Sequence, residues 1–116
     1  MNLPRFKPDA GPEEFEKLLE QARKASDLMK ALSHECRLLI LCLLSEGEKS
    51  VSELEEILSM PQAAVSQQLA RLRFDNLVTA RRDGRMIYYS ISDSEVTSIV
   101  ETLYELFCKP VRNPEQ

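Results

Sequence analysis

Apolar positions recur at steps of three and four residues along most of this chain and at steps of two in one stretch, which predicts helices interrupted by a short strand region. Phe15, Leu18, Ala22, Ala25, Met29 and Leu32 form one stripe and predict a long amphipathic first helix over residues 13–32. Ser33 is placed to cap a second helix. Leu38, Leu39, Leu41, Cys42 and Leu44 make that helix apolar on more than one face until Gly47 stops it, as expected of a buried hub. Ser50 and Glu53 stand at the spacing of a capping box, predicting a short third helix over 51–58 with Leu54, Ile57 and Leu58 inward.

The stretch QAAVSQQLARLRFDNLV, residues 62–78, divides most sharply. Val65, Leu69, Leu72 and Leu77 share one face, while Gln62, Ala63, Ser66, Gln67 and Arg71 fall away from it. Pro61 fits the first turn of this fourth helix, where a missing N–H costs nothing. Small and amide-bearing residues on an open face allow close approach to a DNA major groove, where Gln and Ser bond base edges or phosphates. A solvated polar face has the same composition, so the flanking elements must decide. Helices three and four, joined by Ser59-Met60-Pro61, have the form of a helix-turn-helix. Beyond Asn76 the period drops to two: residues 78–82, an Asp83-Gly84 turn, then 85–91 with Ile87, Tyr89 and Ile91 alternating. Arg81, Arg82 and Arg85 surround the tip of this hairpin. Asp93 or Ser94 then caps a last helix with Val96, Ile99, Val100, Leu103, Leu106 and Phe107 in a stripe, which Lys109-Pro110 ends. The predicted fold is mainly α with a β-hairpin wing, a winged helix-turn-helix. Residues 1–12, with three prolines and no periodicity, are expected to be a flexible arm, residues 13–109 the domain, and residues 110–116 a tail.

Composition adds limits. A chain of 116 residues with 43% hydrophobic content makes one domain with a modest core, and small size favours oligomerisation. The first and last helices carry stripes that a winged helix does not need for itself. Pairing them across a two-fold axis would form a homodimer with two reading helices about 34 Å apart; packing within one chain is the other use for them. No apolar run approaches the roughly 18 residues that cross a membrane, and residues 1–11 lack the apolar core of a signal peptide, so a cytoplasmic location is expected. Three cysteines, an odd number, argue against a disulfide framework and leave reactive, metal-binding or simply buried thiols.

The net charge of −4 speaks against nucleic acid until its distribution is considered. Residues 1–58 carry 8 basic and 12 acidic groups, residues 59–89 carry 5 and 2, and residues 90–116 carry 2 and 5. The positive segment coincides with the fourth helix and the wing, and its basic groups are all arginine, the side chain suited to phosphate and guanine.

These motifs together resemble ArsR-type bacterial repressors. Ala31-Leu32-Ser33-His34 with Arg37-Leu38 is similar to their second helix, and Ser50-Val51-Ser52-Glu53-Leu54 to their third. Val65-Ser66-Gln67-Gln68-Leu69 with Leu72, then Leu77-Val78, Arg81-Arg82, Gly84 and Tyr88-Tyr89, is similar to their reading helix and wing. Glu35, Pro61 and Gln68 depart from the family, which usually has Pro, Ser or Thr, and often His there. The resemblance implies a double-stranded operator with an inverted repeat. Gln62, Ala63, Ser66, Gln67 and Arg71 are expected to face the groove, and Arg81, Arg82 and Arg85 the phosphates or minor groove.

Members of the family differ in what they sense. Transition metals need several converging N or S donors, whereas the third helix has no cysteine, the last has no histidine, and His34 occupies a framework position. No metal and no cofactor are expected. Cys42 and Cys108 resemble instead the two-cysteine branch that answers to persulfides, polysulfides and oxidants. In that branch a sulfur bridge within one subunit releases DNA and derepresses sulfide-detoxification genes; Cys36 has no counterpart there. Neither thiol is expected to be acidic, since both precede helix C-termini and apolar neighbours such as Leu39, Leu41 and Phe107 would disfavour a thiolate. A soft-metal or metalloid sensor on the same fold, and a dimeric interaction module without DNA, remain alternatives. No base or oxyanion motif accompanies the thiols, so an enzyme is not expected.

Overall fold

The computed structural model describes residues 11–112, so that most of the expected N-terminal arm and residues 113–116 of the expected tail lie outside the described residues. Helix α1 spans Pro12–Leu32 and, as far as Lys30, is a compact unit by itself. Phe15, Leu18 and Met29 of its stripe are exposed.

From Ala31 onward the chain forms a second unit. It contains α2 (Glu35–Leu44), β1 (Lys49–Ser50), α3 (Val51–Leu58), α4 (Gln62–Phe74), the strands β2 (Val78–Asp83) and β3 (Met86–Ile91), and α5 (Ser94–Leu103). A π-helical turn at Tyr104–Cys108 and a short α6 (Lys109–Arg112) follow. The strands order as β1-β3-β2, all antiparallel, so the wing hairpin is fastened to the body through β3. Lys49 pairs with Tyr89 and Ser50 with Tyr88 at that seam.

The core collects where α2 meets the helix-turn-helix and α5. Ile40 and Leu41 of α2, Leu54 of α3, Val65, Leu69 and Leu72 of α4, and Val100 of α5 expose no surface. Each such side chain contributes about 1.5–3 kcal/mol of burial. Local signals then fix the helix ends. Ser50 accepts a hydrogen bond from the Glu53 N–H while the Glu53 carboxylate accepts one from the Ser50 N–H, each 3.1 Å, completing the capping box. Asn76 enters the left-handed region at φ 60°, with its N–H on the Arg73 carbonyl and the Leu77 N–H on the Leu72 carbonyl, which turns the chain from α4 into β2. Asp93 caps α5 by accepting from the Val96 N–H at 2.8 Å.

Five details differ from the sequence reading. His34, not Ser33, is the N-cap of α2, without a side-chain cap. Pro61 is the N-cap of α4 rather than a residue of its first turn. Ile57 points outward, 53% exposed, because on an eight-residue helix only a narrow face reaches the core. Asp83 pairs with Met86, which moves the two-residue turn to Gly84-Arg85; Gly84 at φ +64° takes the first central position, as a type II′ turn requires. Lys109-Pro110 does not end the last helix. The widened turn at 104–108 sets the Lys109 N–H on the Tyr104 carbonyl, and Pro110 falls at the start of a new helical turn, where its missing N–H leaves no gap.

Burial assigns weight to individual positions. Leu69→Ala is expected to cost about 2–5 kcal/mol, and the exposed Ile57→Ala within about 0.5 kcal/mol, read from urea unfolding midpoints.

Candidate functional site

Rotation about the α4 axis sorts its residues as the sequence suggested: Val65, Leu69 and Leu72 are buried, while Gln62, Ala63, Ser66, Gln67 and Arg71 are exposed on the far side. Gln62 stands beside the wing. A cleft lined by Ser50, Val51, Ser52, Gln62, Arg85, Met86 and Ile87 brings the start of α4 and the hairpin tip together. The opposite edge of the same face meets the start of α2, in a groove lined by His34, Arg37, Gln67, Gln68, Ala70 and Arg71.

The wing arginines are not equivalent. Arg81 is engaged by Glu48, its Nε and Nη2 each donating to one carboxylate oxygen at 2.7 Å, and it lies over the Tyr88 ring at 4.7 Å. Those hydrogen bonds hold the Glu48 carboxyl below the usual carboxylate range and raise the Arg81 guanidinium further. Arg82 and Arg85 are exposed and have no ion-pair partner among the described residues. Arg71 is within 3.5 Å of Asp75, one turn along its own helix. The sequence pattern placed Arg81 with the other two; Glu48, 33 positions earlier, carries no local signal of the pairing.

The three thiols are unbridged. Cys42, buried in the last turns of α2, meets Cys108 from the π-helical turn, across 66 positions of sequence. Burial pushes the Cys42 thiol up to about 11, and the neighbouring Cys108, through its charge and a hydrogen bond between the two side chains, adds to the rise. Of the apolar neighbours expected to be buried with the pair, Leu41 is buried, but Leu39 is 45% and Phe107 is 70% exposed. Since the helix continues through α6, Cys108 is not at a helix terminus either. Lys109 pairs with Glu105 at 3.3 Å. Cys36 is elsewhere, its Sγ 3.5 Å from the Met60 Sδ at the turn of the helix-turn-helix. Among the described residues no group of three or more His, Cys, Asp or Glu side chains is placed to hold a metal ion. No described helix is long and apolar enough to cross a membrane.

The raised Cys42 value has a checkable sign. The fold favours the protonated thiol, so its contribution to stability is complete below pH 9.0, the ordinary thiol value, and is lost as pH rises toward about 11. Alkylation of Cys42 by iodoacetamide should therefore be slow at neutral pH and accelerate up to about 11, whereas in urea-unfolded protein it should level off near 9.0. Rapid alkylation of folded protein at neutral pH would contradict the assignment.

Residues 34–80, from the start of α2 through the first residues of the wing, match the family described as "Bacterial regulatory protein, arsR family". The transcriptional activator HlyU of Vibrio cholerae is 40% identical over 98 residues, covering 84% of this chain and 91% of that protein. The biofilm growth-associated repressor of Agrobacterium fabrum is 38% identical over 94 residues, covering 81% and 80%. Among solved structures, reduced HlyU from Vibrio cholerae superposes with a TM-score of 0.76 at 41% identity, over 79% of this chain and 97% of that one. The transcriptional repressor BigR of Xylella fastidiosa gives 0.74 at 39% identity, over 80% and 92%. With α4 presented beside a hairpin wing and this degree of similarity, the chain belongs to the ArsR family of bacterial regulatory proteins and is a DNA-binding winged-helix transcription regulator, not an enzyme.

Proposed function

We propose that this protein is a repressor that senses reactive sulfur species through Cys42 and Cys108 and releases its operator when the two are bridged. The observation that carries this reading is the meeting of the two thiols, one buried in α2 and the other in the widened turn after α5. A small buried hydrophobe explains Cys42 alone; it does not account for a second, half-buried thiol interacting with it. A high pKa at Cys42 disfavours attack on dilute peroxide. A persulfide RSSH instead transfers its outer sulfur to Cys42, giving Cys42–SSH and RSH. The Cys108 thiolate can then attack the inner sulfur and expel hydrosulfide, leaving a disulfide. Alternatively, Cys108 first takes RS from a second persulfide with loss of hydrosulfide. Cys42–SS⁻ then displaces RS⁻ from it, leaving a trisulfide. Because α2 carries the core contacts of α4, a bridge that shifts α2 against α5 would disturb the reading face.

DNA contact is assigned to Gln62, Ala63, Ser66, Gln67 and Arg71 in the major groove and to Arg82 and Arg85 on the phosphates; Arg81, held by Glu48, positions the wing. The working unit is a cytoplasmic homodimer on an inverted repeat. Exposed apolar side chains on the first helix (Phe15, Met29) and near the end of the last (Leu106, Phe107) support that arrangement.

Two sets of outcomes test this. Cys42→Ser and Cys108→Ser should each bind operator like wild type yet fail to release it after persulfide treatment, while Cys36→Ser should respond normally. Intact mass should show sulfur gained or two hydrogens lost within one subunit. A response that survives in either single variant rules out bridging, and a mass gain matching bound metal would favour a soft-metal sensor. For DNA, Arg82→Glu should weaken binding to every duplex, Gln67→Ala should mainly relax base preference by about 1–3 kcal/mol at one position, and equal losses on operator and random duplexes for both would refute the assignment.

A further inference from the structure

The groove on the α2 edge of the reading face lies between α4 and the start of α2, away from the wing, and none of the contacts assigned so far uses its α2 side. We propose that it is a second backbone clamp, in which Arg37 and His34 at the start of α2 and Gln68 of α4 hold a DNA phosphate beside Arg71. The inference rests on the orientation of α4 given above.

The chemistry of the lining is one-sided. Of the six residues around this groove of about 620 Å³, five carry side-chain N–H donors and none is acidic. Arg37 is half-buried, and among the described residues its one hydrogen bond is a long one, 3.4 Å from Nη1 to the Ala31 carbonyl. Its Nε–H is buried without a partner among the described residues. An unpaired buried donor on a cation is costly, and an anion in the groove would offset part of that cost by pairing the guanidinium charge. Asp75 engages Arg71 only at 3.5 Å and Arg71 itself is exposed, so a phosphate can compete for the guanidinium.

Placement gives the ligand its identity. At about 100° per residue, Gln62 and Arg71 are nine steps apart and fall about 180° from each other around α4. Gln62 borders the wing cleft with Arg85, and Arg71 borders the α2 groove with Arg37. The reading face is thus flanked on both edges by arginine. A major groove about 12 Å wide is likewise flanked by two sugar-phosphate strands. The wing would take one and the α2 groove the other, setting the depth and tilt of α4 in between.

The test uses reduced full-length protein, a labelled random-sequence duplex of about 30 base pairs, roughly three turns, and affinity measured across a KCl series. Each phosphate contact contributes about 0.9 to the slope of log K against log salt. Arg37→Gln should reduce that slope by about 1 and weaken binding several-fold at low salt, to the same extent on any sequence, and Arg37→Lys should retain most of the slope. A structural role would lower the thermal midpoint and leave the slope alone. A folded Arg37→Gln variant with the wild-type slope overturns the proposal. Should Arg37→Gln fail to fold, Gln68→Glu decides: an acid at the groove should weaken binding to random DNA, and unchanged affinity there also overturns it. Arg71→Gln separates the two levels, since a silent Arg71 removes the assumed orientation of α4, whereas an effective Arg71 with a silent Arg37 removes only the clamp.

Discussion

Burial of α2 is the constraint on which the remaining structure depends. Ile40 and Leu41 are fully buried, and α2 packs against α4, α5 and β3, so one ten-residue helix simultaneously sets the pitch of the reading helix and the path of the last helix. Such a hub cannot move without repacking several partners, because interiors are packed at crystal-like density and respond as discrete arrangements rather than by smooth deformation. A chemical event at Cys42, within the hub, therefore has a mechanical route to a DNA-facing surface that it does not touch.

Electrostatics follow a different logic from the net charge. The acidic groups are concentrated before and after residues 59–89, and within that segment one arginine is withdrawn: Arg81 is bound edge-on by Glu48 and lies over the Tyr88 ring. An exposed pair contributes little to stability, yet this one crosses from the loop before β1 to β2 and restrains the angle of the hairpin. Arg82 and Arg85 at the tip are exposed and have no ion-pair partner among the described residues, and Arg71 and Arg37 stand on the other edge of α4.

The thiol pair shows how environment, more than residue type, sets reactivity. Three cysteines occur in one chain, and each has a different surrounding: Cys36 against a thioether, Cys42 in apolar burial, and Cys108 half-buried on a widened helical turn. Burial raises the Cys42 thiol to about 11, which spares it from indiscriminate oxidation while leaving it beside a second sulfur.

By itself the sequence determined the elements whose cause is local. Periodicity located α1 through α5, the Ser50–Glu53 pair marked the capping box, the switch from a step near 3.6 to a step of two marked the wing, and the sorting of α4 into Val65, Leu69 and Leu72 against Gln62, Ser66 and Gln67 carried over unchanged. The two cysteines of the candidate switch were legible as a pair only through resemblance, since nothing in local pattern relates residues 66 apart. Tertiary structure decided the rest: which turn register closes the hairpin, that Pro110 lies within a helix because a π turn precedes it, that Arg81 belongs to Glu48, and that Arg37 and His34 border the reading face. Each of these depends on contacts between segments distant in the chain, and helical or strand period records only which way a side chain leaves its own axis, not what it finds there.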